Sequence, residues 1–304
     1  MTRFSAILLA AASAVPALLA PETAHAWGPG AHMVTGNWIL QNLAVLPLLV
    51  ADPLMRYPGL FLHGCLSADI FIGKGSKAKK GHSHNWESGF ALLERSTTLS
   101  RQAYAYGYLA HLAADTVAHN VFVPYFLPIA PGNGKMAHIY LEMQADRLLD
   151  WDKADALAVF QERGSDVALA MLRKTLRRNP LKFRLQSGVY KGSIAVGGST
   201  VWRRSLSAVD RLFPEHVRLP WPGNLLAVAA RAAVDVLRGG EESRVLSLDP
   251  IGAVSLAAAA KARSARGFFP GGSKARACLA ALPETLPEAL QSLPAVCVGQ
   301  GQET

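Results

Sequence analysis

The densest run of side chains able to do chemistry is YLAHLAADTVAHN, which places His111, Asp115 and His119 four residues apart in turn. In a helix each such step advances about 400°, so the three lie along one face with a drift of about 40° per step. At about 1.5 Å of rise per residue, the Cα atoms of His111 and His119 stand roughly 12 Å apart if the helix stays straight. One zinc, with bonds to nitrogen of about 2.0–2.1 Å, does not bridge that gap easily. The spacing suits two metals with the Asp115 carboxylate between them.

Three further groups lie close by in sequence. MAHIYLEMQAD carries His138 and Glu142, again one helical turn apart. SADIFIGKGSKAKKGHSHNWE carries Asp69, His82 and His84. AHAWGPGAH carries Trp27 and His32 directly after Ala24-His25-Ala26, a small-residue signature of signal cleavage. Cleavage after Ala26 would turn the Trp27 nitrogen from an amide into a free amine, near His32 in sequence. One such pair alone is ordinary helix-surface support. Together these groups hold enough nitrogen and oxygen donors for three closed sites. No Cys-x-x-Cys competes with them, so a hard-to-borderline metal such as zinc is the natural occupant.

The order Trp, His, Asp, His, His-x-x-x-Asp, His, His-x-x-x-Glu resembles the bacterial zinc-dependent phospholipase C family and its relative, the fungal-type single-strand nucleases. The resemblance covers residues 27 to 150. It implies an all-α phosphodiesterase with three zinc ions, one held by the main chain of the new N-terminus. Carried over by position, Asp69, His84, His111 and Asp115 would hold one zinc. Trp27 and His32 would hold a second, with Asp115 bridging, and His119, His138 and Glu142 a third. Asp69 and Asp115 would be the catalytic carboxylates, Asp69 also orienting or deprotonating the attacking water. His84 is preferred to His82 because Ser83-His84 with nearby Trp86 resembles the family's Ser-His-aromatic segment; His82 is the alternate. Two departures stand out. The gap from Asp115 to His119 is shorter than in the family, and Ala-Asp-Thr-Val-Ala-His-Asn replaces its Gly-Asp-x-x-x-Pro-x-His. His119 is the least secure member of the set.

The elements that must position these residues read as helical nearly throughout. Segments 31–46, 136–151, 155–176 and 224–239 repeat apolar residues at three- and four-residue spacing. The one strand candidate is GVYKGSIAVGGSTVW, residues 188–202, read as a small hairpin or a Gly-rich loop. The expectation is an all-α, single multi-helix domain over 27–267 around a tri-zinc site. Residues 268–304, punctuated by Pro and Gly, form a looser C-terminal extension.

Residues 1–26 have the parts of a signal peptide: Arg3, an apolar run from Ser5 to Ala20, and the Ala-x-Ala site. The run contains Pro16 and is short for a membrane span, which argues against an uncleaved anchor. The expected location is therefore secreted or periplasmic. With 50% apolar and 17% charged residues the chain is able to bury a sizeable core, which excludes a disordered protein. A net charge of +9 favours anionic partners such as phosphate esters, membrane surfaces or nucleic acid.

Two basic stretches bear on that choice: 73–81, and 172–192 with seven Lys or Arg and no acid. Each reads either as a solvated surface or as an anion-steering one, the second towards lipid headgroups or a single strand. Trp202, Trp221 and Phe268-Phe269 read as core or lipid contacts. Three cysteines are too few for a disulfide scaffold: Cys65 reads as a small buried residue, and Cys278 with Cys297 as a pair after export. The function expected is a phospholipase C cutting between glycerol and phosphate. A zinc-dependent single-strand nuclease and a non-catalytic zinc- or membrane-surface-binding protein are the alternatives.

Overall fold

A computed structural model of the chain describes residues 27–71, 81–130, 134–197, 199–200, 204, 206–207, 223–264 and 286–293. Residues 1–26, most of the 73–81 stretch, Trp202, Trp221, Phe268-Phe269, Cys278 and Cys297 lie outside these residues. The described part is helical with no strand, so the all-α expectation holds. No described helix is long and apolar enough to cross a membrane.

The helices are α1 (Pro29–Gln41), α2 (Leu48–Arg56), α3 (Pro58–Ser67), α4 (Trp86–Glu94) and α5 (Leu99–Val117). There follow α6 (Val123–Phe126), α7 (Gly134–Leu148), α8 (Lys153–Ala158), α9 (Ser165–Thr175) and α10 (Pro180–Gly197). The last are α11 (Gly223–Gly239), α12 (Ala253–Ser264) and α13 (Glu288–Gln291). The axis of the fold is α5, whose first turn is capped by the Thr98 hydroxyl accepting from the Arg101 amide. Every residue from Gly107 to Val117 is buried. Ala103, Leu109, Ala110, Ala113, Ala114 and Val117 join a core shared with α1 and α11, where Ala229, Ala232, Ala233 and Val236 face them. Tyr104, Tyr108 and Leu112 turn into a second core with α3, α9 and α10. A helix apolar on all sides is what a central position requires.

The contact that matters most for the site is the crossing of α3 on α5. A Cβ on Gly107 would lie 1.9 Å from the Phe61 carbonyl oxygen, and one on Gly64 2.1 Å from that of Tyr104. Neither position has room for a side chain, so the two backbones touch. The end of α3 is thereby drawn down onto the middle of α5.

Two sequence expectations are corrected here. Residues 188–197 are neither hairpin nor loop but the second half of α10. Gly188, Gly192 and Gly197 look like breakers, each costing about 1 kcal/mol in a helix. Against that, Phe183, Tyr190 and Ile194 fall at helical spacing and are all buried, and burial of each is worth about 1.5–3 kcal/mol. The 155–176 periodicity is also interrupted: α8 ends at Ala158, and Gly164, at φ +97°, resets the chain before α9. In the C-terminal region the described piece is seated in the core, with Leu290 and Leu293 both buried. Cys65 is a buried free thiol, its pKa raised by desolvation.

Candidate metal centre

Each candidate residue is delivered by a distinct piece of local structure. A 3-10 turn, Ala68–Ile70, continues α3 and carries Asp69. The segment before α4 is tied down along its length. Arg178 Nη2 donates to the Gly81 carbonyl (2.9 Å), Ser88 Oγ to that of His82 (2.8 Å) and the Tyr108 hydroxyl to that of Ser83. Asn85 caps α4 by accepting from the Ser88 amide at 2.8 Å. The result fixes His84 facing α5, which presents His111 and Asp115 one turn apart.

Asp69, His84, His111 and Asp115 are all buried, and one ligand atom from each lies within 4.8 Å of every other. His84 Nε2 is 3.1 Å from Asp69 Oδ1, 3.0 Å from Asp115 Oδ2 and 3.1 Å from His111 Nε2. His111 Nε2 is 3.3 Å from Asp115 Oδ2. His32 Nε2 approaches the other oxygen, Oδ1, at 3.3 Å, its ring stacked 3.9 Å from that of His111. The two oxygens of Asp115 thus face different histidines, which is the geometry of a bridge.

The tautomer of His111 follows from its surroundings: Nδ1 donates to the Cys65 carbonyl at 2.7 Å, leaving the Nε2 lone pair turned to the carboxylates. That contact exists because α3 and α5 touch at their glycines. His82 stands beside this group rather than in it, its Nδ1 accepting the His84 amide at 3.0 Å.

The electrostatics suit a cation. Burial would raise the Asp115 carboxyl, but the charge on His111 and the approach of His111, His32 and His84 hold it well below the usual carboxylate range. Burial would lower His111, which Asp115 and Asp69 raise instead. His32 is lowered, first by burial and then by His111. Both Asp115 oxygens and His32 Nε2 are buried without a well-formed hydrogen bond. Buried polar atoms left so are costly, by about 1–3 kcal/mol each and more for a charge. A shared metal ion satisfies them together, so the donor set fits one.

A second group forms where α5 gives way to a π-helical turn, Ala118–Phe122. Pro124 lacks an N–H, and in an α-helix its ring crowds the carbonyl four residues back, so the coil widens ahead of it. Asn120 Nδ2 stitches the turn, donating to the Thr116 (2.9 Å) and Asp249 (2.8 Å) carbonyls. The straight-helix spacing expected for His111 and His119 therefore ends at Val117. His119 Nδ1 donates to the Pro250 carbonyl, and its ring lies 5.4 Å from that of His138. Gly252, at φ +62°, makes this possible, since a Cβ there would meet the His119 carbonyl oxygen at 2.3 Å. His138 Nε2 and Glu142 Oε1 are 2.9 Å apart on α7. Burial, then the neighbouring His138, draws His119 down to about 3, keeping its imidazole neutral.

Trp27 is buried against α5. Its indole N–H donates to the Ala114 carbonyl at 2.9 Å, and its ring stacks 4.8 Å from Phe122. The residue that fastens the following chain escaped the sequence reading. Asp146 accepts from the Gly30 (2.8 Å) and Ala31 (3.0 Å) amides, serving as an N-terminal anion for α1 from across the fold. Its signal was in the sequence, because Asp146 continues the four-residue step of His138 and Glu142.

Residues 31–187, just over half of the chain, match the model of the family described as zinc dependent phospholipase C, and the chain belongs to that family. The matched span holds every candidate ligand except Trp27. No curated protein and no solved structure matches the chain.

Proposed function

We propose that this chain is an exported phospholipase C that uses three zinc ions to hydrolyse the glycerol–phosphate bond of phospholipids. The observation that carries the reading is Asp115, which offers one oxygen to His32 and the other to His84 and His111 inside a buried, family-matched site. His32 with the Trp27 amine, Asp69 with His84 and His111, and His119 with His138 and Glu142 would be the three donor sets, Asp115 joining the first two. Bound zinc would bring the pKa of a water near neutrality and offset charge on the phosphate oxygens. Asp69 would orient the attacking water and take its proton. As the water oxygen bonds to phosphorus, the bond from phosphorus to the glycerol oxygen would break, the proton held on Asp69 would pass to that oxygen, and diacylglycerol and the phosphorylated headgroup would separate. His111, held by the Cys65 carbonyl, keeps its lone pair directed inward throughout. Removal of residues 1–26 on export would supply the Trp27 amine.

The test is zinc per chain on exported protein whose first residue is verified as Trp27, followed by turnover of phosphatidylcholine vesicles against single-stranded DNA. A value near three with phosphatidylcholine cleaved is the expected result. A value near zero or one in zinc-replete buffer would mean that these histidines serve the core, and the reading would be withdrawn. Cleavage of the DNA alone would move the substrate to nucleic acid.

A further inference from the structure

We infer that the outer face of α10 is a docking surface for an anionic phospholipid bilayer. The helix buries Phe183, Tyr190 and Ile194 on one side. On the opposite side Leu181, Leu185, Val189 and Val196 stand exposed, at 79%, 69%, 44% and 45% of their surface. At about 100° per residue these four fall within an arc of roughly 80°. Lys182 borders that arc on one side, and Arg184 and Lys191 on the other. Among the described residues none of the three is ion-paired, and residues 172–192 contain no acid to offset them.

An apolar stripe flanked by cations on both sides is the pattern of a helix lying in a lipid headgroup layer, apolar side chains dipping towards the acyl region and cations on the phosphates. A water-exposed helix has no such need for four aliphatic side chains on its outer face. Another exposed apolar set, Leu48, Leu49 and Met55 on α2, lacks this flank, because Arg56 there is paired with Asp52 at 2.7 Å.

The position of α10 gives the surface a use. Its buried side packs on the 3-10 turn that carries Asp69, with Phe183 and Phe71 rings 5.5 Å apart. Just before the helix, Arg178 lies over the Phe71 ring at 5.4 Å and holds the Gly81 carbonyl. A bilayer seated on α10 therefore lies one helix thickness from a carboxylate of the candidate centre. The purpose of the surface rests on the phospholipase reading; its existence is measured without turnover.

The full chain, stripped of metal with a chelator, would be sedimented with vesicles of mixed phosphatidylglycerol and phosphatidylcholine and with vesicles of phosphatidylcholine alone. The expected result is partition onto the mixed vesicles, weakened by salt. Lys182→Gln with Arg184→Gln should weaken it about thirtyfold, at roughly 1 kcal/mol per cation. Leu181→Ser with Leu185→Ser should weaken it at least about tenfold from lost apolar burial. All four sites are exposed, and unchanged thermal unfolding would verify that the variants fold. Equal binding to both kinds of vesicle, or variants that bind like the parent, would overturn the assignment. So would capture of single-stranded DNA with no vesicle partition. Turnover of a monomeric short-chain phosphatidylcholine in zinc, equal in parent and variants, tests the catalytic reading separately. Its failure alongside normal vesicle binding would remove the enzyme and leave the surface.

Discussion

Asp115 ties the site together, since its two oxygens face three histidines carried by α1, the segment before α4 and α5. Asp115→Ala should lower zinc by two ions per chain, read by metal analysis after dialysis. Partners one shell further out are worth about 10–100-fold in affinity or activity, so loss of the bridge should cost hydrolysis at least about a hundredfold. A variant that kept its full zinc would show that the two oxygens do not bridge. His63 is a buried histidine of the opposite kind. It lies between the rings of Tyr104 (5.2 Å) and Phe160 (4.7 Å), and neither ring nitrogen has a hydrogen-bond partner. Burial, with a smaller contribution from Lys191, takes its pKa down to about 3. The unfolded chain binds this proton below about pH 6.5, and the folded chain does not until about pH 3. Stability from this residue is therefore present in full above pH 6.5 and lost as pH falls, by about 1.4 kcal/mol per pH unit inside that window. Urea unfolding of metal-free protein between pH 6.5 and 4.5 should show the slope, and His63→Leu should reduce it by one proton. Identical slopes would place a proton acceptor beside His63 in the folded chain.

At the scale of elements, the site depends on how closely α3 approaches α5. Gly107→Ala sets a methyl against the Phe61 carbonyl, an atom of the backbone that has no rotamer to retreat into. The expected cost is about 3 kcal/mol or more in chemical denaturation, at or beyond the upper end of ordinary overpacking. Because the same crossing brings the Cys65 carbonyl to His111, zinc affinity should fall along with stability. Unchanged stability would mean that the helices slide apart without penalty. Helices α1, α7 and α11 were legible from three- and four-residue apolar spacing, and α5 from its His111-Asp115-His119 step. The second half of α10 was not, because its glycines read as breakers while the residues that hold it helical spread over three turns. Asp69, His84, His111 and Asp115 were found as donors, and the structure brings them together. The turn at His119 was less legible. Its partner Pro250 is 131 residues away and its clearance depends on Gly252, so no local pattern announces where that ring will point.

Over the whole molecule, Trp27 is the residue whose role would depend on an event outside the fold, the removal of residues 1–26 proposed above. Trp27 is locked before any metal enters: its indole is bonded to Ala114, the neighbour of Asp115, and stacked on Phe122. Asp146 grips the next residues so tightly that a Cβ on Gly28 would lie 2.3 Å from its Oδ2. These contacts fix the Trp27 backbone through side chains that a longer N-terminus leaves untouched. A Met-Ala extension ahead of Trp27 should therefore preserve the fold and its unfolding temperature in chelator. It alters one atom of consequence, because the Trp27 nitrogen becomes an amide and its lone pair is no longer available to a metal. The expected outcome is about one zinc fewer per chain and a matching loss of turnover, with recovery when a protease removes the extension. An extended chain that retained every zinc and full activity would show that export does not switch this site on, and that His32 and Asp115 hold their metal without the terminus.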